Sequence, residues 1–525
     1  MKRLLCLLLT LVLAAGCFAI AGADEKTLYL VSKGGEGSLT NQKNPWSNWD
    51  TLTNSLTFET LLTCDELLVA TKGVLADTYE VSEDGLTYTF TLKDGLKWSD
   101  GEPLTAADVA WSIQASLRAY NVNGIYTTAF GYIDGAPAYK AGEAEEVPGI
   151  AADDLTLTLT LSEPYSPMMN IMAQFAILPM HVLQDTAPDQ IFYASDYWEK
   201  PVTSGPYMVA EVSTDNYFIL ERNPHYNRET GAIDKVYVTV VSDVVAEAQA
   251  GNTDFVGTNE LDIQSILSTL DRYTDYGANV TYIRYLLFNI TDGKEPALAD
   301  ARVRKAIAYG VDWKSLAEGL YGEMANLTTS GVLSNDAAYI GETYSYDPDY
   351  AKELLTEAGY YNSFADYTLN ILYGYTDQTT FDLLEAIIYY LGEIGIKATM
   401  THTTNASQDL WELHAFDLYY GALSAYSTVQ WYEQYTKDTF NGVLDSAETF
   451  APLLAEMIGA TDYAAYESAL LKAQEIEAEE RLRIPVYSLG YQFYVSDRII
   501  LPDDMVFGNP WYNFDYRFTE WDIAE

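Results

Sequence analysis

The stretch GLTYTFTLKDGLKWSDGEPLTAADVAWSI, residues 85–113, decides the fold of this chain. Apolar and polar residues alternate over residues 86–92, which places the apolar side chains on one face of a half-buried strand. Asp94 and Gly95 are turn residues that lead into a second short strand at residues 96–98. The first half of the stretch therefore predicts a β-hairpin.

A helix is predicted to follow this hairpin. Thr105 and Asp108 have the spacing of a capping box, in which each side chain bonds the backbone N–H of the other residue. Similar patterns predict strands at residues 27–31 and 155–161 and a helix at residues 58–68. Helices and strands alternate throughout, and no internal repeat or Pro/Ser-rich linker follows the first forty residues. This alternation indicates an α/β or α+β plan.

The composition limits the class of protein. With 525 residues the chain is too long for one hydrophobic core, so two or three domains are expected. The net charge of −47 argues against nucleic acid as a partner, because phosphate binding needs clustered Lys and Arg. The cysteines Cys6, Cys17 and Cys64 form no disulfide framework, and Cys64 is expected to be a small core residue.

Residues 1–23 predict export. Two basic residues precede an apolar run at residues 4–15, about 18 Å of helix, which is too short to cross a bilayer and is typical of a signal peptide. The sequence LAAGC resembles a lipobox that would make Cys17 a lipidated N-terminus. The sequence AGA before Asp24 fits ordinary signal peptidase. We favour the lipobox, because a cysteine directly after small residues at this distance is uncommon in secreted chains.

The amino-acid sequence of residues 85–113 closely resembles the segment "tFtLrdgvkfsDGtPltaeDVvfsl" of the extracytoplasmic solute-binding proteins of peptide ABC transporters, family 5. Further segments resemble that family in the same order. They are SGPY at 204–207, LERNPHY at 220–226, ARVRKAIAYGVD at 301–312, YAKELLTEAG at 350–359 and IPVY at 484–487. Such motifs mark the scaffold of the family rather than its ligand.

The resemblance implies an α/β, two-lobed fold of the periplasmic-binding-protein type II-like kind, with an extra subdomain in the larger lobe. The implied boundaries are 24–56, 163–281 and 488–525 for lobe I, 57–162 for the subdomain and 282–487 for lobe II. Two lobes joined by crossing strands close over a ligand and bury it between them.

Ten residues are expected at the ligand cleft by the same resemblance. They are Trp46, Ser47, Asn48, Tyr282, Arg284, Ser424, Ala425, Tyr426, Trp431 and Tyr487. Aromatic rings suit apolar side chains or sugar rings, although Tyr and Trp also serve plain cores. For Arg284 we favour a surface or structural ion pair, with a contact to a ligand carboxylate as the alternative.

One departure from the family pattern concerns the ligand. In peptide-binding members an aspartate pairs with the peptide's amino terminus, and here Tyr426 stands at that place, with Leu423 replacing a tryptophan. A buried ammonium without a carboxylate partner costs roughly several kcal/mol. Glu433 is the nearest acidic residue that follows, and it lies too far along the chain to restore the motif. Binding of peptides with a free amine is therefore in doubt.

The function implied is that of the ligand-binding subunit of an ABC importer, exported and either lipid-anchored or periplasmic. Such a monomer captures a peptide or peptide-like solute and delivers it to permease subunits in the membrane. The alternatives are the same fold binding an oligosaccharide or other non-peptide solute, a secreted glycoside-acting enzyme, and a structural surface lipoprotein. No nucleophile elbow, P-loop or H-E-x-x-H helix occurs, and the four histidines have no recognised metal spacing. We therefore expect no enzyme activity, no metal and no cofactor.

Overall fold

The computed structural model of the protein describes residues 25–33, 44–47, 51–66, 68–213, 216–278, 280, 282–291, 295–334, 336–361, 367–437, 443–460 and 463–524. The strands are β1 Thr27–Lys33, β2 Leu62–Cys64, β3 Ala70–Gly73, β4 Ala76–Val81, β5 Thr87–Leu92, β6 Ile150–Asp153, β7 Thr156–Thr160, β8 Tyr207–Ser213, β9 Tyr217–Arg222, β10 Lys235–Val241, β11 Phe255–Thr258, β12 Tyr273–Ala278, β13 Tyr282–Phe288, β14 Ala325–Leu327, β15 Leu369–Tyr373, β16 Ala398–His402, β17 Leu418–Ser424, β18 Arg483–Leu489, β19 Tyr491–Ser496, β20 Ile499–Ile500 and β21 Asp522–Ile523.

The helices lie between these strands and cover the sheets. They are α1 Thr51–Thr57, α2 Ala106–Ser116, α3 Gly124–Gly131, α4 Ala136–Lys140, α5 Met168–Met172, α6 Met180–Leu183, α7 Ser195–Glu199, α8 Val244–Ala250, α9 Leu261–Leu267, α10 Ala301–Gly310, α11 Trp313–Tyr321, α12 Pro348–Glu357, α13 Gln378–Glu393, α14 Thr428–Glu433, α15 Ala447–Ile458 and α16 Tyr463–Glu480. Short 3₁₀ turns occur at Pro188–Tyr193, Pro296–Ala299, Gly322–Met324 and Phe518–Glu520, and a π-helical turn at Ser407–Glu412.

Three larger sheets organise the described part of the chain. The seven-stranded sheet has the order β12-β19-β11-β1-β10-β9-β8, and the six-stranded sheet has the order β14-β18-β13-β17-β15-β16. A four-stranded antiparallel sheet, β4-β5-β7-β6, is built from the region predicted as the extra subdomain. The predicted α/β plan is confirmed, and the seven- and six-stranded sheets form the centres of lobe I and lobe II.

The two lobes are connected at two places. Strand β12 leads into β13, and β18 leads into β19 with only Gly490 between them. The backbone N–H of Gly490 donates to the carbonyl of Met324 at 2.7 Å, and a Cβ at this glycine would lie 3.1 Å from that oxygen. These crossings lie within three residues of the domain boundaries predicted at 281 and 487. The complete set of domain boundaries stays a prediction.

The hairpin strand and the helix predicted from residues 85–113 are confirmed. Strand β5 buries Tyr88, Phe90 and Leu92 on one face, as the alternation requires. Helix α2 begins after Thr105, whose backbone N–H donates to the carboxylate of Asp108 at 2.9 Å. Both features follow from local residue pattern, which is why the sequence alone predicts them.

Two local predictions are wrong. The expected strand at residues 96–98 is reduced to a single bridge between Lys97 and Pro103, because proline has no N–H to continue a ladder. The helix expected at residues 58–68 is replaced by β2, which pairs with β3 and is buried at all three of its residues. A short apolar run buried on all sides has no periodicity that separates strand from helix.

The central strand of lobe II, β13, is buried on both faces. Ile283 and Tyr285 pack into one hydrophobic cluster, and Leu286 and Phe288 pack into a second cluster on the opposite face. Because side chains alternate along a strand, Arg284 shares its face with Leu286. This arrangement places Arg284 on the face of the sheet that packs against the second cluster, two residues after the start of β13 at the crossing.

Candidate ligand-binding cleft

A cavity of about 300 Å³ lies on the lobe I side of the crossing. The aromatic rings of Phe255, Tyr491 and Phe493 contribute to its lining, and Glu260 adds a carboxylate. Gly257 lies under two of these rings, since a Cβ at this position would come within 2.8 Å of Tyr491 and 3.0 Å of Phe493. The glycine allows the rings to pack directly on the strand, and the lining combines these rings with polar groups that include one carboxylate.

Aromatic rings connect this cavity to lobe II. The ring of Tyr491 lies 5.6 Å from that of Trp511, and Trp511 lies 4.9 Å from Tyr282 at the start of β13. The hydroxyl of Tyr512 donates to the carbonyl of Ser424 at 3.0 Å, across the same junction. The two lobes are therefore in contact through aromatic side chains near the crossing strands.

Four of the predicted cleft residues lie on three adjacent strands of lobe II. Tyr282 is the register partner of Ser424 on β17, and Arg284 is the register partner of Tyr487 on β18. The predicted residues Tyr282, Arg284, Ser424 and Tyr487 thus form one group beside the crossing. Ala425 follows Ser424 in the chain, and its side chain is buried.

Arg284 lies within a cluster of tyrosine rings. Its guanidinium carbon is 3.9 Å from the ring centre of Tyr375, 5.0 Å from that of Tyr282 and 5.8 Å from that of Tyr420. The residue is only 7 % exposed, and its Nε and Nη1 atoms have no hydrogen-bond partner among the residues that the structure describes. No carboxylate of the described residues forms an ion pair with Arg284, so the favoured ion pair is not found in that part of the chain.

Burial keeps the phenols of Tyr375 and Tyr420 beside Arg284 neutral. Burial raises the pKa of Tyr420 and of Tyr375 well above the ordinary value, despite the opposing effect of the Arg284 charge. The hydroxyl oxygens of Tyr420 and Tyr487 lie 2.8 Å apart, and the ring of Tyr321 lies 4.8 Å from that of Tyr487. These side chains give the guanidinium polarisable faces but no negative charge.

Tyr426 occupies the junction between lobe II and the segment that follows β7. Its hydroxyl oxygen lies 2.8 Å from that of Tyr165, and its backbone N–H donates to the side chain of Gln430 at 3.0 Å. Burial, with a smaller contribution from the charge of Glu433, raises the pKa of the Tyr426 phenol. Position 426 therefore provides a neutral hydroxyl that is already hydrogen-bonded, and no counter-charge for an ammonium group.

Trp431 lies inside lobe II, away from this group. Its Nε1 donates to the buried carboxylate of Glu477 at 2.7 Å, and its ring lies 3.7 Å from the guanidinium of Arg483. In this conformation the indole ring is a core side chain. A contact between Trp431 and ligand stays a prediction.

Trp46 and Ser47 are on the lobe I side. The indole Nε1 of Trp46 donates to the carbonyl of Ala176 at 2.8 Å, and its ring stacks on Phe175 at 5.2 Å. The hydroxyl of Ser47 donates to the carbonyl of Asn44 at 2.8 Å. Asn48, Cys17 and the predicted signal peptide at residues 1–23 lie outside the described residues.

Four aromatic residues at the site were missed by the sequence analysis. They are Tyr375, Tyr420, Trp511 and Tyr512. With 43 tyrosines in the chain, no local pattern distinguishes these from tyrosines of a plain core. The alternation of β17 places Tyr420 on the same face as Leu418, and that was the only available signal.

The described residues contain no group of three or more His, Cys, Asp or Glu side chains arranged to hold a metal ion. Their helices include none that is both long and apolar enough to cross a membrane.

Comparison with known proteins gives the family. The sequence model described as bacterial extracellular solute-binding proteins, family 5 Middle, matches residues 70–441. A Brucella ovis protein named as an ABC transporter peptide-binding protein is 27% identical over 397 residues, covering 74% of this chain and 72% of the relative. The chain belongs to the bacterial extracellular solute-binding proteins of family 5.

Solved structures agree with this fold. The ABC transporter substrate-binding protein CtaP of Listeria monocytogenes superposes with a TM-score of 0.76 at 21% identity, covering 96% of this chain and 100% of that one. A lactococcal OppA, complexed with an endogenous peptide in the closed conformation, gives 0.69 at 20% identity, covering 94% and 99%. The predicted two-lobed binding-protein fold is confirmed.

Proposed function

We propose that this chain is the extracytoplasmic substrate-binding subunit of an ABC importer. It captures a peptide or peptide-like solute between its lobes and delivers it to permease subunits in the membrane. One observation carries the proposal: Tyr282, Arg284, Ser424 and Tyr487 meet on adjacent strands beside the lobe crossing. The names of the relatives support both the peptide and the transporter.

Closure provides the physical mechanism. Lobe I contributes the aromatic cavity, and lobe II contributes Arg284 with its surrounding tyrosine rings. A ligand that contacts both lobes stabilises the closed conformation relative to the open one. A ligand that contacts only one lobe does not shift the equilibrium between the open and closed conformations. Binding and closure are therefore coupled, and the permease distinguishes loaded from empty protein by shape.

Export and anchoring are part of the same proposal. Residues 1–23 direct the chain out of the cytoplasm, and Cys17 becomes the lipidated N-terminus that holds a monomer at the membrane surface. Mass spectrometry of the mature N-terminus tests this step. A diacylated Cys17 would support lipid anchoring. A mature chain that begins at Asp24 and carries no lipid would instead indicate a protein that is exported without an anchor.

We propose a binding role without catalysis, metal, cofactor or nucleic-acid partner. The sequence carries none of the hydrolase or nucleotide-binding motifs sought, and the charge of −47 repels phosphate backbones. The test is incubation with oligosaccharides followed by product analysis. Turnover would favour the glycoside-acting alternative.

Native mass spectrometry of freshly purified protein is the experiment that tests the ligand. We expect a retained peptide, and we expect added peptide at 100 times its dissociation constant to stabilise the fold by about 2.7 kcal/mol in a thermal-shift assay. Oligosaccharides under the same conditions serve as the comparison. Stabilisation by a sugar alone would replace the peptide with the oligosaccharide alternative, and no stabilising solute at all would contradict the binding role.

A further inference from the structure

We propose that strand β16, Ala398–His402, is a docking edge at which an extended segment of a partner protein adds as a further strand. This surface is distinct from the proposed cleft, because strands β17 and β15 lie between β16 and β13 in the sheet. It would serve contact with another protein and not capture of the solute.

Strand β16 is an outer strand of the six-stranded sheet in lobe II. It pairs in parallel with β15 from Leu369 and Ala398 to Tyr373 and His402, without a register shift. The side chains of β16 are half-buried or exposed, whereas β15 is buried at four of its five residues. One side of β16 is therefore joined to the sheet, and the other side faces away from it.

The hydrogen bonds to β15 show which backbone groups of β16 point outwards. The N–H of Leu369 donates to the carbonyl of Lys397 at 2.9 Å, and the N–H of Thr403 donates to the carbonyl of Tyr373 at 2.8 Å. Bonding residues alternate along a strand of a parallel pair, so the odd-numbered residues of 397–403 point inwards. The outward N–H and C=O groups, which no group of the described residues bonds, belong to Ala398, Met400 and His402.

The other outer strands of the three larger sheets are protected against pairing with a further strand. Strand β14 is only three residues long, and β4 and β8 each contain a register shift. Charges, bulges and short length are features by which proteins keep sheet edges from pairing. Acidic residues also lie in four of these strands: Asp77 and Glu80 in β4, Asp153 in β6, Glu211 in β8 and Asp275 in β12.

Strand β16 has none of these features. Its sequence ATMTH contains no Asp, Glu, Lys, Arg or Pro, and its register with β15 is continuous. Threonine also favours extended strands. An exposed outer strand without a protective feature is a surface at which a further strand can pair.

The chemistry of this edge identifies its partner. Alternating backbone donors and acceptors are matched by another extended backbone, which is the basis of strand addition. The chain has 76 acidic and 29 basic residues, so a second copy brings a net charge of −47 against an equal charge and is repelled. The partner segment is therefore an extended stretch of a different protein that is neutral or basic.

A synthetic peptide tests strand addition. The probe is fluorescein-labelled Lys-Val-Thr-Val-Thr-Lys with an amidated C-terminus, and the control is the same peptide with N-methyl groups on its four internal amides. Both peptides have the same charge and are attracted equally to an acidic protein, but the control has no internal N–H to donate. In fluorescence anisotropy with the full mature protein, we expect the probe to bind about tenfold more tightly than the control, or better.

Hydrogen exchange at single-residue resolution locates the contact. In the free protein the amides of Ala398, Met400 and His402 should exchange rapidly, and those of Thr399 and Thr401 slowly. Added probe should slow exchange at the first three positions and leave β8 and β12 unchanged. Slow exchange at all five positions in the free protein would show that the edge is already paired and would overturn the proposal.

Met400→Pro changes the edge alone. Proline removes the outward N–H at position 400 but no bond to β15, and proline is tolerated at such positions of outer strands. Affinity for the probe should fall by about tenfold or more, while the melting temperature changes little. Thr401→Pro is the matched comparison, because it removes an inward N–H and should lower the melting temperature.

Three results would contradict strand addition at β16. They are equal binding of the N-methylated control, no protection of the outward amides by the probe, and undiminished affinity of a folded Met400→Pro variant. If Met400→Pro does not fold, the comparison of the two peptides on the wild-type protein still decides. A dimer in sedimentation analysis that protects the same amides without probe would assign the edge to a second copy instead. The solute test of the proposed function is independent of these results.

Discussion

The hydroxyl oxygens of Tyr165 and Tyr426 lie 2.8 Å apart, joining the segment after β7 to the end of β17. Both side chains are buried, and the ring of Tyr165 also stacks on Tyr132 at 4.3 Å. This pair lies between the four-stranded sheet and lobe II. The hydrogen bond between Tyr165 and Tyr426 therefore forms only when the segment after β7 is packed against lobe II.

We expect Tyr165→Phe and Tyr426→Phe to favour a more open protein. Each change removes the shared hydrogen bond and leaves the other hydroxyl without a partner, which costs about 0.5–1.5 kcal/mol in the closed arrangement. Small-angle scattering of ligand-free protein should show a larger radius of gyration in both variants. The double variant should add little to either single change, because all three lose one interaction.

Tyr88→Phe is the matched control for this pair. The Tyr88 hydroxyl donates to the backbone carbonyl of Tyr165 at 3.0 Å and makes no hydrogen bond to the described residues of lobe II. Its loss should lower the melting temperature without changing the radius of gyration. An equal opening in Tyr88→Phe, or purely additive effects of Tyr165→Phe and Tyr426→Phe, would show that the hydroxyl pair does not control closure.

Glu433→Gln should change how stability depends on pH. Burial raises the pKa of the Glu433 carboxyl above its ordinary value of 4.5, and Lys437 at 4.0 Å offsets this only in part. The folded protein then binds the proton more tightly than the unfolded chain, so this stabilisation is complete below the unfolded pKa and is lost as pH rises through the folded one. Glutamine has no carboxyl group to ionise, so the variant does not lose this stability as the pH rises.

Urea unfolding at pH 4.5 and pH 7 measures this effect. The difference in unfolding free energy between Glu433→Gln and wild type should move in favour of the variant as pH increases. Glu456→Gln is the control, since Glu456 forms an exposed ion pair with Lys472 at 3.5 Å. A pH dependence of Glu433→Gln that equals that of Glu456→Gln would disagree with the burial of Glu433.

Glu477→Ala should strongly destabilise lobe II. The buried carboxylate accepts from Trp431 and Tyr435 at 2.7 Å each, from Tyr432 at 3.0 Å and from the backbone N–H of Gly331 at 3.0 Å. Removing it leaves these donors unpaired and takes away a negative charge that favours the buried cation of Arg481, with an expected cost of about 3–5 kcal/mol.

Trp431→Phe should destabilise lobe II less than Glu477→Ala does. It removes one of these donors and keeps an aromatic ring, so we expect about 1–3 kcal/mol by chemical denaturation. Ligand affinity measured on the same variant separates packing from contact. A loss of affinity with little loss of stability would support the predicted ligand contact of Trp431, and a Glu477→Ala variant within 1 kcal/mol of wild type would contradict the buried network.

The thiol of Cys64 should be unreactive in the folded protein. Gln174 donates to its sulfur at 3.0 Å, the thiol donates to the carbonyl of Asn513 at 2.8 Å, and burial raises the pKa of the thiol. Labelling of a chain beginning at residue 24 with a chromogenic disulfide should be slower by on the order of 100-fold or more than in urea. Cys64→Ser is the blank, and rapid labelling without denaturant would contradict this packing.

Local structure was predictable where a clear alternation or a capping pattern defines the element. Strand β5 and helix α2 follow from alternation and from the capping box at Thr105 and Asp108. The error at residues 58–68 arose because Leu62, Thr63 and Cys64 are all buried, so no face remains to define a period.

The site was predictable only in part. Resemblance to the family pointed to Tyr282, Arg284, Ser424 and Tyr487, and strand pairing between distant segments brings them together. Pairing register over such separations cannot be deduced from one sequence, which is why Tyr375 and its partners were missed. Their roles in ligand contact stay predictions until the solute is known.

The order of strands in the seven-stranded sheet has a consequence for biogenesis. Strand β19 fills the place between β11 and β12, yet it is synthesised after the entire six-stranded sheet. Until that late strand arrives, β11 and β12 lack the neighbour that joins them, and closing so long a loop is slow. A polypeptide that has to pass through a translocation channel as an extended chain gains from this delay, because its largest sheet cannot be completed before almost the whole chain has emerged.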